Sequence, residues 1–393
     1  MSRTDLDLPA LPDLPIVHVS TMGNMANQMI QYMVALSLAS RVGRCVLSQV
    51  GLPDWNIHHP PVPGEFRTEI VTTPQPDLDR LAAALQDGTL QRVDIRTYGQ
   101  RMENFLAASV YRGVFVHPGR AVRGAGPDEL LCSIRQGDVL DGHHPDYVLI
   151  PIDFYEEVAR ATGLRLVFAG QLEDSPYMAE LRARFPQARF LPSRGAIADF
   201  ERIRRSVNIL PSVSTFAWLA AWLSEARQIF MPVLGLFHPL QSRSTNLLPL
   251  GDPRVRFYLF PFHYAVPVER FAAAHDSIRG LWRYVDHLRL VELLRPAPRP
   301  RRLQRYLEHF DEAFYLAAYP DIAAAVQGGD LPSGRHHYEH YGFPEGREAF
   351  FIDKSWYCQT YPIAAIELSQ GEYDDAHQHW LDIGRARGYR PAP

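Results

Sequence analysis

SVNILPSVSTFAWLAAWLSEA, residues 206–226, is the stretch on which the fold turns. A short apolar run stops at a proline, passes through a turn rich in Ser and Thr, and continues as an apolar helix. The pattern predicts a strand over Val207–Leu210 and a helix over Thr215–Glu225. Ser212, Ser214 and Thr215 then lie at the helix entrance, where free backbone N–H groups and the helix dipole favour an anion. Capping of the helix by Ser214 is compatible with that role. Trp218 and Trp222 are spaced i,i+4 and read as core.

The same alternation of short apolar runs and amphipathic stretches extends over residues 16–260, the mark of α/β units around a mostly parallel sheet. Strands are expected at Ile16–Ser20, Arg44–Gln49, Val93–Thr97, Glu129–Ile134, Arg165–Ala169, Ala188–Leu191 and Gln228–Met231. Helices are expected at Asn27–Arg41, Leu78–Gln86, Phe154–Thr162, Pro176–Phe185 and Ala196–Ser206. The Gly/Pro-rich stretch Pro118–Asp128 divides this region. The expected architecture is α/β: two Rossmann-like domains, 16–122 and 123–265, facing a cleft where strand C-termini and helix N-termini converge. An N-terminal tail (1–15) precedes them. A long helix over 266–294 and a Pro/Arg-rich linker over 295–306 follow. Those arginines read as a solvated joint or as an attraction to an anionic membrane surface.

Residues 307–393 form a small, mainly helical region with an internal repeat. Asp311/Asp353, Tyr315/Tyr357, Tyr319/Tyr361, Pro320/Pro362, His337/His379, Gly342/Gly384 and Gly346/Gly388 all recur 42 residues apart. A register kept without insertion implies two stacked copies of one aromatic-anchored unit. His337 and His379 stand beside aromatics in both copies, which favours packing over metal binding.

Composition narrows the function. A net charge of −4 offers no global attraction to nucleic acid, so an anion site must be built locally. Cys45, Cys132 and Cys358 have neither disulfide nor zinc spacing and suit a reducing compartment. No segment has the apolar length of a signal peptide or membrane span. The expectation is a cytoplasmic protein, with peripheral contact at the inner membrane face as an option.

Two further segments carry chemistry. LLCSIRQGD (130–138) is an apolar strand that ends on Arg135, with Gly137 permitting a tight turn and Asp138 after it. A guanidinium at a strand's C-terminal edge matches phosphate oxygens with a planar fork of donors. An Arg–Asp edge ion pair is the alternative. IVHVSTMGNMANQMIQY (16–32) places Gly23, Asn24, Asn27 and Gln28 between a strand and a helix, where backbone and amide groups approach a substrate. There is neither GxGxxG nor a Walker lysine.

Taken in order, the three segments resemble bacterial α-1,2-fucosyltransferases. GNMANQMIQY is similar to their GxxGNQxxQY opening, SIRQGD to their HxRRGD element and STFAWLAAWLS to their STFSWWAAWL segment. The resemblance covers about residues 16–262. It implies a two-domain GT-B enzyme, inverting and metal-independent, that uses a GDP-sugar as co-substrate without a cofactor and a glycan as acceptor. It implies that Arg135 contacts the β-phosphate, that Asp138 braces that arginine or the loop, that Ser214 and Thr215 lie at the phosphates, and that Asn27 lies near the anomeric carbon. Ser133 stands where the family has a histidine at the nucleotide end, Gln136 replaces a second arginine, Ala26 a glycine and Leu219 a tryptophan. Gly23, Gln28 and Ser212 complete the expected nucleotide-sugar contacts. The C-terminal repeats resemble units appended to bacterial polysaccharide glycosyltransferases, which points to contact with a synthesis complex or a membrane through 295–393.

For a general base the loop GDVLDGHHPDY offers Asp138, Asp141, His143, His144 and Asp146. A neutral histidine, His144, suits the task near neutral pH, and a plain polar loop is the alternative. His238, Gln241, Arg243 and Asn246 border the cleft or form an ordinary loop. A non-catalytic glycan-binding scaffold, or a transferase using another nucleotide sugar, shares these motifs.

Overall fold

The computed structural model describes residues 14–119, 122–142, 144–295 and 301–393. They fall into two compact units. The first is built from the chain up to Arg135, 157–231 and 243–255, the second from 136–156, 232–242 and 256–393. The boundary expected at 122/123 therefore lies inside the first unit.

The first unit holds a four-stranded parallel sheet, in the order β2(Val46–Ser48), β1(Ile16–Val19), β6(Arg92–Ile95), β5(Thr68–Val71). Every residue of β1 is buried, as expected of a parallel strand covered on both faces. Between β2 and β5 a small antiparallel pair, β3(Val50–Leu52) and β4(Ile57–His59), turns at Asn56, whose φ of 54° this residue type tolerates. Helix α1(Met25–Val42) follows β1, and α2(Leu78–Gln86) leads into β6. Asp77 accepts the Arg80 N–H at 2.9 Å and so starts α2. A short helix, α3(Ala108–Val114), buries Tyr111, whose hydroxyl donates to the Met33 carbonyl at 3.1 Å.

A second set of parallel strands runs in the order β11(Gln228–Val233), β10(Asn208–Leu210), β7(Glu129–Ile134), β8(Arg165–Gly170), β9(Arg189–Pro192). The intervening helices are α4(Gly137–Leu140), α5(Ile152–Thr162), α6(Pro176–Arg184), α7(Ala196–Arg204) and α8(Thr215–Trp222). From β7 the chain winds outward through β8 to β9. From β10 it winds the other way to β11. Neighbours β7 and β10 thus send their connections in opposite directions, and a crevice opens at their C-terminal ends.

The second unit contributes the antiparallel pair β12(Val255–Leu259) and β13(Arg283–Val285). The long helix expected over 266–294 is absent. In its place stand α9(Phe271–Ile278), then β13, then α10(His287–Leu294), capped by Asp286. Gly280 takes a φ of +68°, and Trp282 is buried with its ring 5.1 Å from that of Phe260. Burying that indole outweighs the helical spacing of the flanking residues. Residues 296–300, the centre of the expected linker, and residues 1–13 of the tail lie outside the described residues.

The repeat segments share one local geometry. Asp311 and Asp353 cap α11(Glu312–Ala318) and its counterpart Lys354–Thr360, accepting N–H groups at 3.0 and 2.9 Å. Tyr315 bonds His337 Nδ1 at 2.9 Å, and Tyr357 bonds His379 Nδ1 at 2.8 Å. An apolar core that includes Phe262, Tyr306 and Phe350 runs through both copies.

Candidate functional site

At the β7/β10 crevice three serines converge. Ser133, the penultimate residue of β7, accepts the Ser212 N–H at 2.7 Å, and its hydroxyl lies 3.3 Å from the Ser212 hydroxyl. The Ser212 hydroxyl is 3.5 Å from that of Ser214, which caps α8 by accepting the Ala217 N–H at 3.0 Å. All three are buried. The first N–H groups of α8, those of Thr215 and Phe216, have no acceptor within the helix. A buried chain of hydroxyls therefore runs along the strand ends to a helix N-terminus, a ready setting for an oxyanion.

The first sheet meets this point through α1. Asn27, in the first turn of α1, accepts the Thr215 hydroxyl at 3.0 Å and the Gln100 side-chain amide at 3.0 Å. Its carbonyl oxygen is engaged twice, so its orientation is fixed and its NH2 group is the side turned to other partners. Gly23 has a φ of +71°, and a Cβ there would stand 2.6 Å from Asn27 Nδ2. Only glycine leaves that amide in place. Gln28 donates to the Gly23 carbonyl at 2.9 Å and braces the same turn. Deeper in α1, Gln31 accepts the Met22 N–H at 2.8 Å and donates to the Thr97 carbonyl at 3.2 Å.

Arg135 follows Ile134 at the end of β7, two residues beyond Ser133, and is half-buried. Asp138 is exposed in the first turn of α4 and His144 is exposed in the following loop; both belong to the second unit. His144 Nδ1 accepts the Asp146 N–H at 3.3 Å, and its ring lies 4.5 Å from that of Tyr147. His143 is outside the described residues. The structure thus bonds Ser133, Ser212 and Ser214 to one another, Asn27 to Thr215, and Gln28 to Gly23, with Arg135 just beyond the end of the strand that carries Ser133.

The loop residues after β11 have structural bonds. Gln241 donates to the Asp146 carboxylate at 3.0 Å and to the His263 carbonyl at 2.9 Å. Asn246 donates to Glu103 at 2.9 Å, and the Arg243 carbonyl accepts from Arg101 at 3.0 Å. His238 is fully buried. Trp218 and Trp222 stack with ring centroids 5.4 Å apart in the core.

Sequence reasoning missed Gln100 and a second strand-end cluster. On β6 Asp94 is buried, and its Oδ1 accepts the Ser20 hydroxyl at 2.9 Å while its Oδ2 accepts Arg96 Nε–H at 2.8 Å. The signal was VDIRT (93–97), a carboxylate inside an apolar strand that ends on arginine, as the other strand ends on Arg135.

Among the described residues no group of three or more His, Cys, Asp or Glu side chains is arranged to hold a metal ion, and no helix is long and apolar enough to cross a membrane.

Fold and site define an α/β protein with parallel sheets and a hydroxyl-lined crevice at the strand C-termini. No protein-family model matches the chain, and no curated protein matches it. Among solved structures it is similar to an Arabidopsis thaliana FUT1 mutant in complex with GDP, at 11% identity and a TM-score of 0.41, over 63% of this chain and 74% of that one. It is also similar to the E. coli heptosyltransferase WaaC with ADP, at 11% identity and a TM-score of 0.29, over 56% and 87%. A third likeness is to the UDP-GlcNAc 2-epimerase of Methanocaldococcus jannaschii, at 10% identity and a TM-score of 0.26, over 72% and 77%.

Proposed function

We propose that the protein is a glycosyltransferase that moves a sugar, fucose before others, from a GDP-sugar to a glycan hydroxyl with inversion and without a metal ion. The observation that supports it most directly is the buried Ser133–Ser212–Ser214 chain leading to the N-terminus of α8, beside the strand end that carries Arg135. In the transfer an acceptor hydroxyl bonds to the anomeric carbon as the bond to the β-phosphate oxygen breaks, its electron pair leaves with the diphosphate, and the hydroxyl proton passes to solvent water. Charge grows on that bridging oxygen, where fixed donors act most strongly in the transition state. Arg135 and the N–H groups of Thr215 and Phe216 are the donors, and the Asn27 amide orients the sugar. Departure of the stabilised diphosphate carries the step.

Thermal shift with GDP, UDP and TDP tests the reading, since a ligand that binds only the folded chain raises its Tm. GDP is expected to raise it selectively, and release of GDP from GDP-fucose on adding a glycan is the matching activity. A chain that responds to no nucleoside diphosphate is not this enzyme. Nucleotide binding without turnover of any sugar nucleotide would instead favour the scaffold reading.

A further inference from the structure

The C-terminal edge of the first sheet carries a cationic fixture that the nucleotide site does not use. Arg96 is the first residue after β6. Its Nε–H donates to Asp94 Oδ2 at 2.8 Å, and its Nη2 lies 2.7 Å from the same oxygen. Asp94 Oδ1 is held by the Ser20 hydroxyl at the end of β1. The Asp94 side chain is 1% exposed and that of Arg96 is 49% exposed. A guanidinium has five N–H donors, and the Nη1 edge is turned away from this contact. Among the described residues no other partner of the Arg96 guanidinium is seen.

An ordinary surface ion pair does not need a buried carboxylate, because desolvating it is costly. Here the desolvated group is the anchor and the half-exposed group is what it aims. Such an arrangement holds an arginine ready for an oxyanion, which the guanidinium fork grips through two parallel hydrogen bonds. Arg96 also stands on the segment that reaches Gln100, whose amide bonds Asn27. Four residues of chain span at most about 14 Å, the length of a short oligosaccharide.

The geometry points to Arg96 as an oxyanion-binding residue on the acceptor side, and so to an acidic saccharide as acceptor, carrying a carboxylate or a phosphate. This rests on the glycosyl-transfer reading, since only there does an acceptor lie beside Asn27. Ser20 and Asp94 act as positioning residues: they fix the guanidinium and leave its outer edge to the ligand.

The test is calorimetric titration of the full chain with three probes: a glucuronate tetrasaccharide, the same compound with its carboxyls reduced to alcohols, and a 6-phosphorylated mannotetraose. At least one acidic probe is expected to bind roughly ten- to a hundredfold tighter than the reduced one, as for hydrogen bonds to a charged group. The acidic probe that binds identifies the source of the oxyanion. Removing Arg96 alone would strand the buried Asp94 charge, so the deciding variant is Asp94→Asn combined with Arg96→Gln. It should lose the preference for acid while keeping the Tm rise given by GDP. Arg96→Lys, which keeps charge but not the fork, should retain only part of the preference. Equal binding of acidic and reduced saccharides, or a preference that survives in the double variant, overturns the inference. If GDP fails to bind but the Arg96-dependent preference is present, the transferase reading falls and the oxyanion site stands.

Discussion

Ser214 caps α8, and its proposed place at the diphosphate can be separated from that structural role by experiment. Ser214→Ala removes the cap of α8 and is expected to cost about 1 kcal/mol of stability. Ser214→Asp keeps a capping acceptor but adds a negative charge where the diphosphate is placed. Because Ser214 is buried, the carboxylate should lower the Tm to some extent, while the GDP-induced rise disappears altogether; an undiminished GDP response in that variant places the phosphates elsewhere. Arg135→Ala tests the other arm. Loss of one oxyanion donor lowers turnover on the order of a hundred- to a thousandfold, and far-UV circular dichroism should show an unchanged fold. Thr215→Val keeps shape but removes the donor to Asn27 at 3.0 Å. It should lower kcat more than the affinity for GDP, since the proposed reaction assigns Asn27 to the sugar and not to the phosphates. Each of these residues was legible in the sequence by type and by place after a strand. Gln100 was not, because nothing local distinguishes a glutamine that reaches across to α1 from one that faces water.

At the scale of elements, β7 and α2 were expected where they occur, at Glu129–Ile134 and Leu78–Gln86. Both are set by local pattern: an apolar run buried on both faces, and an amphipathic period started by an aspartate cap. β5, β12 and β13 went unforeseen because their partly exposed residues break the apolar run that announces a strand. The helix expected over 266–294 failed for the complementary reason. Its period was present, but Gly280 and the burial of Trp282 decided the path. The repeats keep one contact in register in both copies. An added Cβ at Gly342 would meet Tyr315 Oη at 2.3 Å, and at Gly384 it would meet Tyr357 Oη at 2.4 Å. Gly384→Ala is therefore expected to lower stability by about 1–3 kcal/mol through overpacking, read from the urea midpoint. Tyr357→Phe should relieve part of that penalty in the double variant, since the clash is with the hydroxyl. Additive losses would show that the two residues do not meet.

For the molecule as a whole, the second unit carries an acid sensitivity built from three buried histidines. Burial pushes His238 and His263 down to about 3 and His275 down to about 4 from an ordinary 6.5. The unfolded chain binds protons at these sites near pH 6.5 and the folded chain does not. Their contribution is thus complete above about pH 6.5 and is lost progressively as pH falls from there toward about 3. Tm should fall over that interval, and combining His263→Gln with His275→Gln should flatten the fall; an unchanged slope would assign the acid limb to other groups. The sequence alone determined that the chain is α/β, where most strands start and stop, the register of the repeats, and which segments carry Arg135, Asn27 and Ser214. These follow from periodicity, capping and turn chemistry, which act over a few residues. The tertiary structure alone decided that Asn27 meets Thr215, 188 positions along the chain, that Ser133 meets Ser212, and that Asp94 is buried where it pairs with Arg96. Such pairings arise from strand order and from the free energy of burying whole faces, which depend on the packed chain and not on any short stretch of it.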